Sequence, residues 1–128
     1  MNIFGIGVDV VKSARMKRIL SSSYAERFLV KVLHPKEITE LKGRGDIEQQ
    51  TLYLASRWCF KEACVKASGR KDLIFPQMYL DKDSTGKPIP TFIDFNKNVL
   101  ENELQIKNTH TSISHEDEIS IAFVVMSK

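Results

Sequence analysis

The stretch Arg57-Trp58-Cys59-Phe60-Lys61-Glu62-Ala63-Cys64-Val65-Lys66-Ala67 sets a carboxylate and several cations into what its spacing predicts is the middle of a long helix. Positions four apart share one helix face, so Trp58, Glu62 and Lys66 fall on one edge, with Arg57 and Lys61 on the adjacent one. Ala55, Cys59, Ala63 and Ala67 form a strip of small residues beside them, suited to close packing against a neighbour. A helix built this way could hold a metal and a phosphate group together on its polar edge. The plainer reading of Glu62 and Lys66 is an exposed pair at i, i+4, which stabilises a helix by roughly a few tenths of a kcal/mol.

A second carboxylate interrupts an apolar run. Ile6-Gly7-Val8-Asp9-Val10-Val11 reads as a strand, and a charge within it needs a cation, a helix N-terminus or a set of N–H donors. Capping of a helix that begins near Ser13 is the structural alternative for Asp9. Asp9 and Glu62 together offer two hard oxygen ligands, too few to enclose calcium but suited to Mg2+, which keeps waters and shares a substrate diphosphate. Lys61, Lys66 and Arg57 would neutralise the remaining phosphate charge. The inventory points to phosphoryl-type transfer from a diphosphate.

Other chemistries fail on spacing. Gly5 and Gly7 are followed by no further glycine before Gly43, which leaves neither a dinucleotide fingerprint nor a Walker loop. Cys59 and Cys64 are misphased on the helix, and His34, His110 and His115 lack ligand spacing, which argues against zinc. Ser114, His115 and Asp117 make no triad, because adjacent residues on a strand point to opposite faces. His115 ends a strand of small hydroxyl residues, where a hydrogen-bonding role competes with a catalytic one.

These residues need elements to place them. At 128 residues, 42% hydrophobic and 27% charged, the chain fits one soluble globular domain spanning 1–128. No apolar run is long enough to span a bilayer. The N-terminus enters an apolar alternation without a basic or Arg-rich leader, so the expected location is the cytoplasm, with the mitochondrial matrix as the alternative. Cys59 and Cys64 read as small core residues in a reducing compartment. A net charge of +3 favours an anionic ligand or acidic partner without being a nucleic-acid signature.

Residues 3–11 read as a buried strand, its glycines marking close approach of another backbone. Short helices follow at 13–20, 24–32 and 35–42, then the long helix at 47–68, stopped by Gly69. Residues 73–80 and 88–95 read as strands around a turn, 99–104 as helical, and 111–115 with 119–126 as a closing hairpin. The result is a compact α+β domain, a mostly antiparallel sheet packed around one long helix.

Four blocks then resemble a known family. They are Gly5-Ile6-Gly7-Val8-Asp9-Val10-Val11 with Arg15 downstream; Arg27-Phe28-Leu29 followed by Leu33-His34-Pro35-Lys36-Glu37; the Arg57–Ala67 stretch; and Ser112-Ile113-Ser114-His115. In this order and spacing they resemble the holo-[acyl-carrier-protein] synthases, the small stand-alone phosphopantetheinyl transferases. The resemblance implies that family's fold and transfer of the phosphopantetheine arm of coenzyme A to a serine of acyl carrier protein, releasing adenosine 3',5'-bisphosphate. It further implies Mg2+ on Asp9 and Glu62, Lys66 on the phosphate, and Arg57 and His115 near the nucleotide. Arg15, with Arg18 and Arg27, would meet the acidic carrier, in a homotrimer with active sites between subunits. The serine proton could go to a water on the metal, to Glu62 or to His115. Where the family often has a Gly-Thr-Gly turn, this chain has Ser68-Gly69-Arg70-Lys71.

Two rival readings accompany this one. A basic RNA-binding module could track phosphates with Arg15, Lys17, Arg18, Arg27 and Lys31, but it leaves Asp9 and Glu62 unexplained and lacks an aromatic platform on a strand. An inactive subunit that only docks carrier protein would have no use for the carboxylates. The expected partners are therefore coenzyme A and acyl carrier protein, with no nucleic acid and no membrane.

Overall fold

In a computed structural model that describes residues 2–128, the long helix α4 (Ile47–Ser68) lies across a three-stranded antiparallel sheet. The sheet has the order β1 (Ile3–Lys12), β5 (Ile119–Ser127), β4 (Asn108–Glu116). Three short helices, α1 (Ser13–Leu20), α2 (Ala25–Val32) and α3 (Pro35–Lys42), run between β1 and α4. A separate hairpin of β2 (Met78–Lys82) and β3 (Pro88–Phe92) follows α4, then α5 (Asp94–Lys97) and a π-helical stretch, Asn98–Glu103. The antiparallel α+β architecture is as the sequence predicts.

Glycine spacing fixes how β1 meets α4. A Cβ on Gly5 would stand 2.0 Å from the Ala67 carbonyl oxygen, and one on Gly7 2.0 Å from that of Ala63. Only glycine lets the strand backbone rest on the small-residue strip of the helix. The same register turns Asp9 and Val11 toward α4, because alternate residues share a face. α4 is closed at its start by Asp46, whose carboxylate accepts from the Gln49 N–H at 2.8 Å, and at its end by Gly69 at φ 72°. α3 begins on Pro35, with His34 Nδ1 accepting from the Lys36 N–H and Glu37 accepting from the His34 N–H.

Several expectations need correction. The strand expected at 73–80 forms only from Met78, since Phe75–Gln77 make a 3-10 turn around Pro76. Asn96 occupies both backbone groups of Ile74, accepting from its N–H at 2.8 Å and donating to its carbonyl at 2.7 Å, so no neighbouring strand can pair there. The following strand ends at Phe92 rather than 95, and Asp94 adopts φ 50°. The helix expected at 99–104 is present, as a π-helical continuation of α5. β1 is covered on one face only: Ile6, Val8 and Val10, with Ile121 and Phe123 of β5, leave an apolar sheet face exposed.

Lys61 is not at the polar edge. It is wholly buried, and its ammonium donates to Glu37 Oε1 at 2.6 Å, the Val32 carbonyl at 2.7 Å and the Phe75 carbonyl at 2.9 Å. Three acceptors take all three hydrogens, so Lys61 ties α2, α3 and the 3-10 turn to α4 and has none left for a phosphate. Burial lowers its pKa from the ordinary lysine value, while the Glu37 charge acts the other way. Replacing Lys61 by Met would leave the Glu37 carboxylate buried without its cation, at a cost of about 3–5 kcal/mol. Urea unfolding should show a lower midpoint with an unchanged slope, and adding Glu37→Gln should recover most of the loss.

Candidate active site

The glycine contact that sets β1 on α4 brings Asp9 beside Glu62, the residue just before Ala63. Lys66, one turn further, donates to the Val8 carbonyl at 2.9 Å and to Asp9 Oδ1 at 3.2 Å. It therefore pairs across to the strand rather than with Glu62. The Asp9 side chain is mostly covered, whereas that of Lys66 is about half exposed. Burial raises the pKa of Glu62 above the ordinary carboxylate range, and the Asp9 charge adds to it; Lys66 and Arg15 oppose the shift. Two carboxylates that repel one another across a gap, with one lysine on their rim, make a locus for a hard cation. Among the described residues no group of three or more His, Cys, Asp or Glu could hold a metal alone. Two protein oxygens fit Mg2+, whose other positions go to water and substrate phosphate.

Arg15 reaches this site over the ring of Trp58, its guanidinium 5.1 Å from the ring centroid. Trp58 in turn packs on Phe28 and edge-on to Phe75. Arg18 and Arg27 are exposed; Arg27 lines a shallow groove with Tyr24, Phe28 and Lys31. The cysteines take no part: Cys59 donates to the Ser120 carbonyl at 3.3 Å, and burial pushes its thiol up to about 12. Such a thiol is inert at neutral pH.

Arg57 and His115 meet in a separate cleft of about 290 Å³, lined also by Arg44, Gln49, Leu52, Tyr53 and Ser56. Arg57 Nη1 donates to Ser56 Oγ at 3.0 Å, and the guanidinium lies over the Tyr53 ring at 4.2 Å from its centroid. Its Nε stands 4.0 Å from Glu37 Oε2, beyond hydrogen-bond reach, because the other Glu37 oxygen is held by Lys61. Arg57 thus keeps its positive charge directed at the cleft. His115 Nδ1 lies 2.7 Å from Ser120 Oγ, and burial, helped by the Arg57 charge, lowers its pKa from the ordinary value. Two guanidiniums and a neutral imidazole make a cleft for a phosphate-bearing ligand.

The structure therefore gathers Asp9, Glu62, Lys66 and Arg15 at one locus and Arg57 with His115 at another, and it removes Lys61 from both. Sequence reasoning missed Arg44 and Tyr53. Arg44 sits in a loop between two glycines and carries no periodic signal, whereas Tyr53 lies one helical turn before Arg57, a spacing that could have revealed it. At the unusual turn, Arg70 is held by Asp72 at 2.9 and 2.7 Å and by Glu103 at 3.1 Å.

The chain is similar to known proteins along nearly its whole length. A family model described as the 4'-phosphopantetheinyl transferase superfamily matches residues 5–124. The holo-[acyl-carrier-protein] synthase of Halothermothrix orenii is 38% identical over 125 residues, covering 96% of both chains. The crystal structure of that enzyme from Neisseria meningitidis superposes with a TM-score of 0.85 at 31% identity, over 98% of this chain and 99% of the other. The Helicobacter pylori enzyme, solved in complex with coenzyme A, gives 0.77 at 29% identity, over 95% and 99%.

The cleft makes a titration test possible. The His115 imidazole should titrate below about 6.5, the value of a free histidine. In NMR titrations Arg57→Gln should raise that midpoint by removing a like charge, and a phosphate-bearing ligand in the cleft should raise it further.

Proposed function

Because the chain belongs to the 4'-phosphopantetheinyl transferase superfamily, among its holo-[acyl-carrier-protein] synthases, we propose that it carries out their reaction with the residues described above. The phosphopantetheine arm of coenzyme A passes to a serine of apo-acyl carrier protein, and adenosine 3',5'-bisphosphate leaves. The carrier serine oxygen forms a bond to the β-phosphorus while its proton passes to Glu62 or to a water, and the bond from that phosphorus to the bridging oxygen breaks, its electron pair departing with the nucleotide. The observation that carries this reading is the Asp9, Glu62 and Lys66 cluster, on a chain that also carries a separate cationic cleft.

Asp9 and Glu62 are the residues that would hold Mg2+, which supplies charge neutralisation at the diphosphate when bound. Lys66 leans on Asp9 with a flexible stem, so it can turn a point charge toward the phosphoryl oxygens as negative charge builds. Arg57 and His115 anchor the nucleotide; the placement of His115 against Ser120 and Arg57 favours binding over proton transfer. Lys61 serves the fold. Arg15, Arg18 and Arg27 form the rim that steers an acidic carrier, with Arg15 nearest the carboxylates.

The exposed apolar sheet face supports assembly with further copies of the chain, since an area of this kind on a monomer marks an interface, and the family resemblance makes that assembly a homotrimer. Among the described residues no helix is long and apolar enough to cross a membrane, and the two free buried cysteines suit the reducing cytoplasm. The RNA-binding alternative leaves the Asp9 and Glu62 pair without a role.

The deciding experiment incubates the protein with coenzyme A, Mg2+ and apo-carrier protein and reads the carrier's mass for an added phosphopantetheine; an unmodified carrier would end the reading. Asp9→Ala and Glu62→Ala should each abolish transfer while circular dichroism shows an intact fold. Lys66→Ala should lower kcat on the order of a hundredfold, with a smaller change in KM for coenzyme A, as expected of a contact that strengthens in the transition state.

A further inference from the structure

Tyr53 is almost wholly buried on α4, yet its ring has two cations against it. The Arg57 guanidinium lies 4.2 Å from the ring centroid and that of Arg44 5.0 Å. Its hydroxyl donates to Glu40 Oε1 at 2.8 Å. A phenol bonded to a carboxylate has a more electron-rich ring, and the face of such a ring attracts guanidinium charge. Neither arginine is hydrogen-bonded to a carboxylate that would hold it instead. Arg57 stands off from Glu37 because Lys61 neutralises that residue, and Arg44 projects from a loop flanked by Gly43 and Gly45. Both guanidiniums line the same cleft with His115.

We infer that Tyr53 is a positioning residue for coenzyme A: its ring fixes the two guanidiniums that take the anionic groups of the nucleotide. This rests on the transferase reading given above and adds to it the element that organises the cleft. Tyr53 itself need not touch substrate. Arg57 donates one N–H to Ser56 Oγ, but an arginine pair held by a ring keeps most of its donors open, whereas a pair held by carboxylates would have them filled and its charge cancelled.

The test is calorimetric titration with adenosine 3',5'-bisphosphate, alongside transfer kinetics. Tyr53→Leu should weaken nucleotide binding about tenfold and raise KM for coenzyme A in proportion, with kcat changed less than about twofold. Tyr53→Phe keeps the ring and should stay within about threefold of the parent. In the Leu background, Arg44→Gln should cost much less affinity than it does in the parent, because the arginine has already lost its support. Unchanged affinity in a folded Tyr53→Leu protein overturns the inference, and so does a Phe variant as impaired as the Leu one. Should Tyr53→Leu fail to fold, Arg44→Gln, a change at an exposed loop residue, carries the test, and unchanged affinity there overturns the inference. A parent that binds no bisphosphate overturns the transferase reading as well; a binding parent with indifferent variants overturns this inference alone.

Discussion

Two glycines and two alanine carbonyls set the geometry on which everything else here depends. Gly5 and Gly7 lie so close to Ala67 and Ala63 that any side chain at either glycine would force strand and helix apart. That contact fixes both the separation of β1 from α4 and the register between them. Asp9 then has one place to go, and Glu62 and Lys66 are there. A site made of residues 53 to 57 positions apart in the chain is thus held by backbone packing, which is stiffer than any set of side-chain contacts.

Charge is sorted in a second layer behind the cleft. A buried Glu37 could cancel Arg57, but a buried Lys61 holds one of its oxygens at 2.6 Å while the other stands 4.0 Å from Arg57 Nε, so the carboxylate is answered first by the lysine. The arrangement is costly, since both ions lose their hydration, and replacing such a pair with apolar side chains often stabilises a protein. Its retention makes sense if its effect is on the neighbouring arginine, which keeps its charge for the cleft. A buried lysine and a half-exposed one so stand within a few residues of each other on one helix and differ only in the face they occupy.

That difference is where the sequence ceased to be readable. Asp9, Glu62 and Lys66 were legible because charges inside apolar runs need an explanation, and the Gly5 and Gly7 pair declared close backbone approach. Lys61 was not, because α4 is buried on most of its circumference, so helical periodicity alone could not say which cation faces water. The partner that decides the matter, Glu37, lies 24 residues earlier on another helix. Strand ends were misjudged for a similar reason: Asn96 closes off Ile74 through tertiary hydrogen bonds that local propensity does not encode. Arg57 and His115 sit on different elements, and only the crossing of α4 over the sheet joins them.

β1 is an edge strand whose outward row, Ile3, Ile6, Val8 and Val10, is β-branched throughout. Such a strand, before its partners arrive, is a template for pairing with further copies of itself in growing, unclosed stacks. The one charge in its middle is Asp9. Identical strands stacked in register would set these carboxylates above one another, a repulsive column at each repeat, and the two glycines lower the strand's intrinsic tendency to extend. The residue proposed to hold the metal in the finished protein would also act earlier, as a gatekeeper that biases the newly made chain away from fibrous aggregation.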